Sequence, residues 1–207
     1  MKNRGILGAK RGIDILGSAV ALLALSPVIL AISVVLLLAQ GPPLFFRQDR
    51  AGFGGKAFQI RKFRTMSTAT GRDGQLLPDA ERVTPIGRWL RRTSLDELPE
   101  LVNVFAGQMS LVGPRPLPVD YLPLYDEKQR RRHEVRPGLT GLAQIHGRNQ
   151  LTWEQRFAYD VDYIDHMSLL LDLKIILRTV AVVVRGGGVH IEERLTTEPF
   201  RGRHSLG

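Results

Sequence analysis

Asp96 and Glu97 stand side by side in Arg91-Arg92-Thr93-Ser94-Leu95-Asp96-Glu97-Leu98-Pro99. A carboxylate can attack phosphorus and form an acyl phosphate when cations offset its negative charge. Arg88, Arg91 and Arg92 precede the pair, and Arg115 follows it in Gly113-Pro114-Arg115-Pro116. Mg2+ shared between the carboxylates and substrate phosphates would add to that offset. A glycosidase pair is unsuitable, because adjacent helical residues point about 100° apart and do not flank one bond. A purely structural reading competes. Ser94-x-x-Glu97 matches a capping box, and acids in a first turn favour the positive end of a helix. The residues alone leave both readings open.

Other candidates are equally two-sided. Arg115 lies between two prolines that pre-set its backbone, which suits bidentate phosphate binding or a plain surface turn. Lys62-Phe63-Arg64-Thr65 reads as a basic strand end near phosphate or as a solvated edge. Arg130-Arg131-Arg132 reads as a solvated or lipid-headgroup face. Asp160, Asp162 and Asp172 are helix-surface acids or groups supporting a site. His133, His146 and His166 lack the spacing of metal ligands, and no GxGxxG or P-loop pattern occurs. The chain has no cysteine, which removes disulfides, thiolate catalysis and Cys-based zinc sites.

Several elements must position these groups. Leu44–Gln48 and Phe58–Phe63 alternate as short strands around a Gly-rich turn, giving a β-hairpin. Thr68–Asp79 is a polar loop. Thr84-Pro85 opens a helix through Arg92, and Leu95–Phe105 reads as a second, stopped by Gly107. Tyr121–Glu134 reads as a charged helix, and Leu139–Asn149 as irregular or strand-like. Trp153–Asp165 and Ser168–Arg185 are helical, the latter apolar enough to pack in a core or dock at an interface. The fold class is mainly α with a small β-hairpin (α+β).

Ile15–Ala39 runs for 25 residues without a charge. As a helix it would measure about 37 Å, against a bilayer core of ~30 Å. Pro27 interrupts it, and each half is roughly 16–18 Å long. Basic residues flank both ends: Lys10 and Arg11 before, and Arg47, Arg50, Lys56, Arg61 and Lys62 after. A single pass concentrates positive charge on one side, so a helix-break-helix hairpin stands beside a kinked spanning helix, with Ser26 helping to satisfy freed carbonyls. The formal charge of +9 calls for an anionic partner. Nucleic acid is disfavoured, since no recognition motif accompanies the charge. A membrane-anchored protein that binds anionic lipid without catalysis is the alternative to an enzyme, and a hydrolytic phosphatase would share the aspartyl-phosphate step.

Taken together, the segments resemble the small monotopic phosphoglycosyl transferases of the bacterial sugar transferase family. The likeness runs through Lys10-Arg11-Gly12-Ile13-Asp14, Ser26-Pro27, Lys62-Phe63-Arg64-Thr65-Met66 and Ser94-Leu95-Asp96-Glu97-Leu98-Pro99-Glu100-Leu101. It continues in Asn103-Val104, Met109 to Pro116, Arg136-Pro137-Gly138-Leu139-Thr140-Gly141, Gly147-Arg148-Asn149 and Leu171-Asp172-Leu173-Lys174. Thr196-Thr197-Glu198-Pro199-Phe200 is similar to short forms such as the N,N′-diacetylbacillosamine transferase. Leu142 departs from the pattern, standing where the family usually has tryptophan.

The resemblance implies transfer of a sugar-1-phosphate from a UDP-sugar to polyprenyl (undecaprenyl) phosphate, the first membrane step of glycoconjugate assembly. Asp96 would be the nucleophile, forming an aspartyl-phosphosugar and releasing UMP. Glu97 would bind Mg2+ with Asp96 or assist proton transfer. Lys62, Arg64, Arg92, Arg115, Arg148 and Asp160 would contact substrate. Residues 1–40 would form a re-entrant membrane hairpin broken at Ser26 and Pro27. Residues 41–207 would form a catalytic domain with interfacial helices, on the cytoplasmic face of the bacterial inner membrane and in contact with its lipid.

Overall fold

The computed structural model describes residues 3–147, 151–184 and 199–202. Helix α1 (Asn3–Gln40) continues through Pro27 as one helix instead of two. The reason is local. Proline lacks the N–H that would bond the Leu23 carbonyl, and Ser26 Oγ donates to that carbonyl at 2.8 Å. By length and composition Gly5–Gln40 is apolar enough to cross a membrane.

Both ends of α1 dock on the same body. Near its start, Lys10 Nζ donates to Asp172 Oδ2 at 2.6 Å, and Arg11 donates to the carbonyls of Val104 and Phe105. Asp14 Oδ1 accepts from Ser110 Oγ and from the Leu111 amide. Near its end, Ile32 and Leu36 are buried with Phe63 and Leu90.

Strands β1 (Phe45–Ala51) and β2 (Ala57–Phe63) pair antiparallel, Phe45 with Phe63 through Ala51 with Ala57. A short helix α2 (Asp79–Arg82) precedes α3 (Pro85–Thr93). Thr84 Oγ1 caps α3 by accepting from the Gly87 amide, with proline at the first turn. Gly87 sits on the chain at Thr65, where an added Cβ would lie 1.9 Å from the Thr65 carbonyl oxygen. After α4 (Glu100–Phe105), β3 (Ser110–Val112) pairs parallel with β4 (Gly138–Thr140). Gly138 permits that approach: a Cβ there would lie 2.1 Å from the Gly113 nitrogen.

Short α5 (Glu127–Arg130) and α6 (Leu142–Ile145) precede α7 (Trp153–Asp165) and α8 (Leu169–Val184). Leu142, despite replacing an expected tryptophan, is buried in a core with Val112, Tyr163, Ile164 and Ile175. Leu170, Leu173, Leu177 and Val180 of α8 remain exposed, as on an interfacial helix.

The expected helix over Leu95–Phe105 is split. Pro99 cannot donate into a continuous ladder, so a 3-10 turn (Leu95–Glu97) precedes α4. The expected helix Tyr121–Glu134 is likewise divided into a 3-10 turn (Val119–Leu124) containing Pro123, then α5, then another 3-10 turn (Arg131–Glu134).

Candidate active site

Helix α3 ends at Ser94, which adopts φ 58° and turns the chain into Leu95–Glu97. This overturns the capping-box reading. Ser94 sits in the left-handed region, its side chain makes no cap bond, and Glu97 is drawn to cations instead. The turn buries both acids, leaving Asp96 4% and Glu97 8% exposed.

Three segments converge on this turn. Strand β2 supplies Lys62, whose Nζ donates to Glu97 Oε1 at 2.7 Å and lies 3.1 Å from Glu100 Oε1. Asn103 ties β2 to α4: its Nδ2 donates to the Gln59 carbonyl at 2.7 Å and its Oδ1 accepts from the Arg61 amide. That link fixes Lys62 against Glu100 and Glu97. The loop after β3 supplies Arg115, whose Nη2 donates to Glu97 Oε1 at 2.6 Å. The same loop is laid along the end of β1, where the Ala51 amide donates to the Leu117 carbonyl and Arg50 bridges to Pro118.

From the other side, Arg132 Nη2 donates to the Arg115 carbonyl at 2.7 Å and to Asp160 Oδ2 at 2.8 Å. Asp160 on α7 is therefore buried against Arg132. The tail returns here too: Phe200 packs among Tyr121, Tyr125, Trp153 and Phe157.

Charge concentrates strongly at this point. Glu97 beside it holds the Arg115 guanidinium above its ordinary value, with burial opposing and Asp96 adding to the rise. Burial pushes Glu100 up from the ordinary carboxylate range, and Lys62 partly counters it. Burial and the neighbouring Arg115 push Arg50 down to about 10. Arg156 of α7, 4.7 Å above the Trp153 ring, is lowered by burial first and by Arg115 next.

The structure thus brings together Asp96, Glu97, Lys62 and Arg115, with Asp160 one residue removed. Arg64 lies elsewhere, its guanidinium donating to the Gln40 and Gly41 carbonyls at the end of α1. Arg92 is exposed at the end of α3, and Arg148 lies outside the described residues. Glu100, Asn103, Arg50, Arg132 and Arg156 were not anticipated. The basic run at 130–132 is not one solvated face: Arg132 is 4% exposed, whereas Arg131 pairs outside with Asp165 and Glu134. Among the described residues no cluster of three or more acidic, histidine or cysteine side chains forms a metal cage. Mg2+ needs less than that, since one or two carboxylates plus substrate phosphates serve it.

An apolar groove of about 700 Å³ runs between α1 and α3, lined by Pro27, Val28, Ile32, Ile86, Trp89 and Leu90 among others. Helix α3 is one wall of the groove and also leads into the acidic turn.

Residues 6–186 match the family model described as bacterial sugar transferase. An uncharacterized sugar transferase, EpsL of Bacillus subtilis, is 50% identical over 193 residues, 93% of this chain and 96% of that protein. The exopolysaccharide production protein ExoY of Sinorhizobium fredii is 39% identical, with 87% of each chain covered. A UDP-glucose:undecaprenyl-phosphate glucose-1-phosphate transferase of Caulobacter vibrioides is 44% identical over 183 residues, 83% of this chain and 68% of that protein.

Proposed function

Because the chain belongs to the bacterial sugar transferase family, we propose that it is a membrane-associated phosphoglycosyl transferase moving a sugar-1-phosphate from a UDP-sugar to polyprenyl phosphate. The observation that carries this reading is the buried Asp96 beside Glu97, whose Oε1 gathers both Lys62 and Arg115. Two cations fixed at one carboxylate next to a second carboxylate form a setting for an anionic nucleophile and an anionic substrate.

In the first step an Asp96 oxygen attacks the β-phosphorus. The bond from that phosphorus to the bridging oxygen breaks, and UMP leaves with the bond electrons. In the second, a phosphate oxygen of polyprenyl phosphate attacks the same phosphorus. The acyl phosphate bond breaks, giving polyprenyl diphosphate-sugar and restoring the Asp96 carboxylate. Lys62 and Arg115 hold phosphate oxygens and are themselves aligned by Glu97. Asp96 and Glu97 would hold Mg2+, which when bound offsets phosphate charge.

The lipid acceptor fits the architecture. Its isoprenoid chain is apolar, and the groove along α1 and α3 is an apolar lane beside the helix that ends at the acidic turn. The docking of both α1 ends on one body favours entry and exit at one membrane face, the cytoplasmic face of the inner membrane, where the soluble nucleotide sugar is met.

The test is Asp96→Asn with a panel of UDP-sugars and polyprenyl phosphate. The variant should fold, release no UMP and gain no phosphosugar mass by intact mass spectrometry, whereas the parent protein does both. Full turnover by Asp96→Asn would sink the nucleophile assignment.

A further inference from the structure

Arg50 is a half-buried cation that the chemistry above does not use. Its Nη1 reaches the Pro116 carbonyl only at 3.4 Å, and its Nη2 donates to Gln48 Oε1. Its Nε is buried with no hydrogen-bond partner among the described residues. No carboxylate among the described residues forms an ion pair with it, because Lys62 and Arg115 take Glu97, and Lys62 also takes Glu100. Partly burying a cation without a direct ion pair is costly, and setting it beside a second cation costs more, a cost that the nearby Glu100 and Glu97 only partly offset.

The backbone nevertheless forces that arrangement. The bridge from Arg50 to Pro118 and the bond from the Ala51 amide to the Leu117 carbonyl lock the end of β1 to the Arg115 loop. Burial first, and repulsion by Arg115 next, lower Arg50. Bracing the loop does not account for the guanidinium, since the paired backbone already does so and the Pro116 contact is long.

We propose that Arg50 is a phosphate-binding residue for the diphosphate of the nucleotide substrate, acting beside Arg115 on the oxygens that Lys62 does not reach. This rests on the transferase reading and adds a residue to it. A diphosphate is the occupant that fits: two guanidiniums joined through one paired backbone offer donors in a fork geometry to adjacent phosphates. A second arginine at this place also stabilises the charge that develops on UMP as it leaves.

The experiment titrates uridine, UMP and UDP onto the full chain in detergent by calorimetry, for the parent protein, Arg50→Gln and Arg50→Lys. Arg50→Gln should weaken UDP by roughly ten- to hundredfold, the range of a charge-assisted hydrogen bond. It should leave uridine binding unchanged and the ligand-free melting temperature no lower, and Arg50→Lys should recover part of the UDP affinity. Equal UDP affinity in the parent and Arg50→Gln would overturn this assignment while leaving the transferase reading standing. Equal weakening of uridine and UDP, with a lower ligand-free melting temperature, would also overturn it, since that is the mark of a brace. A parent protein that binds neither UMP nor UDP would overturn the transferase reading, and the role of Arg50 with it.

Discussion

Arg132 donates its Nη2 proton to the backbone carbonyl of Arg115 at 2.7 Å, so one arginine fixes the peptide from which another reaches the acidic turn. Arg132 is itself held by Asp160 through Nε at 3.0 Å and Nη2 at 2.8 Å. Its guanidinium lies 5.8 Å from the Tyr125 ring and 5.6 Å from the Phe157 ring, each within cation–π range. Position therefore passes from α7 through Arg132 to Arg115 and on to Glu97.

Removing one end of that relay should cost stability as well as rate. Asp160→Asn leaves Arg132 buried without its carboxylate, which costs about 3–5 kcal/mol. For a chain of this size that lowers the melting temperature by roughly ten degrees. Replacing both partners, Arg132→Met with Asp160→Leu, should recover much of the stability, since an apolar pair tolerates burial. Activity should stay low in the double variant, because the Arg115 carbonyl has lost its donor. Thermal unfolding read beside UMP release checks this; recovery of both together would show that Arg132 does not position Arg115.

Lys62 serves two acids at once, and its removal should move the pH profile. Without that cation Glu100 loses the charge that opposes its burial-raised pKa, and Glu97 loses one of its two ion-pair partners. Lys62→Met should therefore lower kcat by about ten- to hundredfold and shift the acid limb of the rate profile to higher pH. Lys62→Arg, which keeps the charge, should keep the limb near its original place. Steady-state UMP release between pH 5 and pH 9 measures the shift, and an unmoved limb in Lys62→Met refutes the pairing as the cause.

Local sequence made some of this architecture legible and hid the rest. Thr84-Pro85 announces a helix start because cap and proline act within one turn, and α3 begins there. Asp96 and Glu97 stood out because adjacent acids among arginines are unusual. Ser94 misled, since its spacing to Glu97 fits a cap while the turn demands a left-handed residue and two cations outbid the backbone amide. β3 escaped notice because three residues are too few for alternation to register, while β4 fell largely in the stretch read as irregular or strand-like, whose following residues Leu142–Ile145 are instead helical. Arg132 looked like part of a solvated run, for only the fold reveals that Asp160, 28 positions later, waits beneath it. Nothing local distinguishes Arg50 from the other basic residues of the hairpin.

His133 should make stability depend on mildly acidic pH. Its Nδ1 bonds the Gly52 carbonyl at 3.0 Å as the donor, leaving the proton-accepting Nε2 buried. Burial first, then Arg132 beside it, pushes its pKa down to about 4 from the ordinary 6.5. The unfolded chain then binds the proton more readily, so the stabilisation is complete above pH 6.5 and is lost as pH falls toward 4. One titrating ring limits the slope to about 1.4 kcal/mol per pH unit, and its partial exposure lowers it further. His133→Asn can keep a donor for Gly52 without titrating. Its melting temperature should fall less between pH 7 and pH 5 than that of the parent; parallel curves would assign the loss to other groups.

The lie of α1 makes a topological prediction that needs no activity at all. A straight helix of 38 residues is about 57 Å long, far more than a bilayer core of ~30 Å. Crossing outright would carry Lys10 and Asp14 to the side opposite Leu36. Instead Lys10 is paired with Asp172, Asp14 with Ser110, and Leu36 packs with Phe63, all on one body. With both ends at one face, the middle of the helix around Leu23, 79% exposed and apolar, is expected to lie deepest in lipid. Ser26 already holds the carbonyl that Pro27 leaves, which in that setting no water would take. The chain has no cysteine, so single cysteines at positions 3, 23 and 45 can be read with a membrane-impermeant maleimide on sealed vesicles. Positions 3 and 45 should label from the same side, and position 23 only after detergent. Labelling of 3 and 45 from opposite sides would establish a spanning helix and require the Lys10–Asp172 and Asp14–Ser110 contacts to be broken in the membrane.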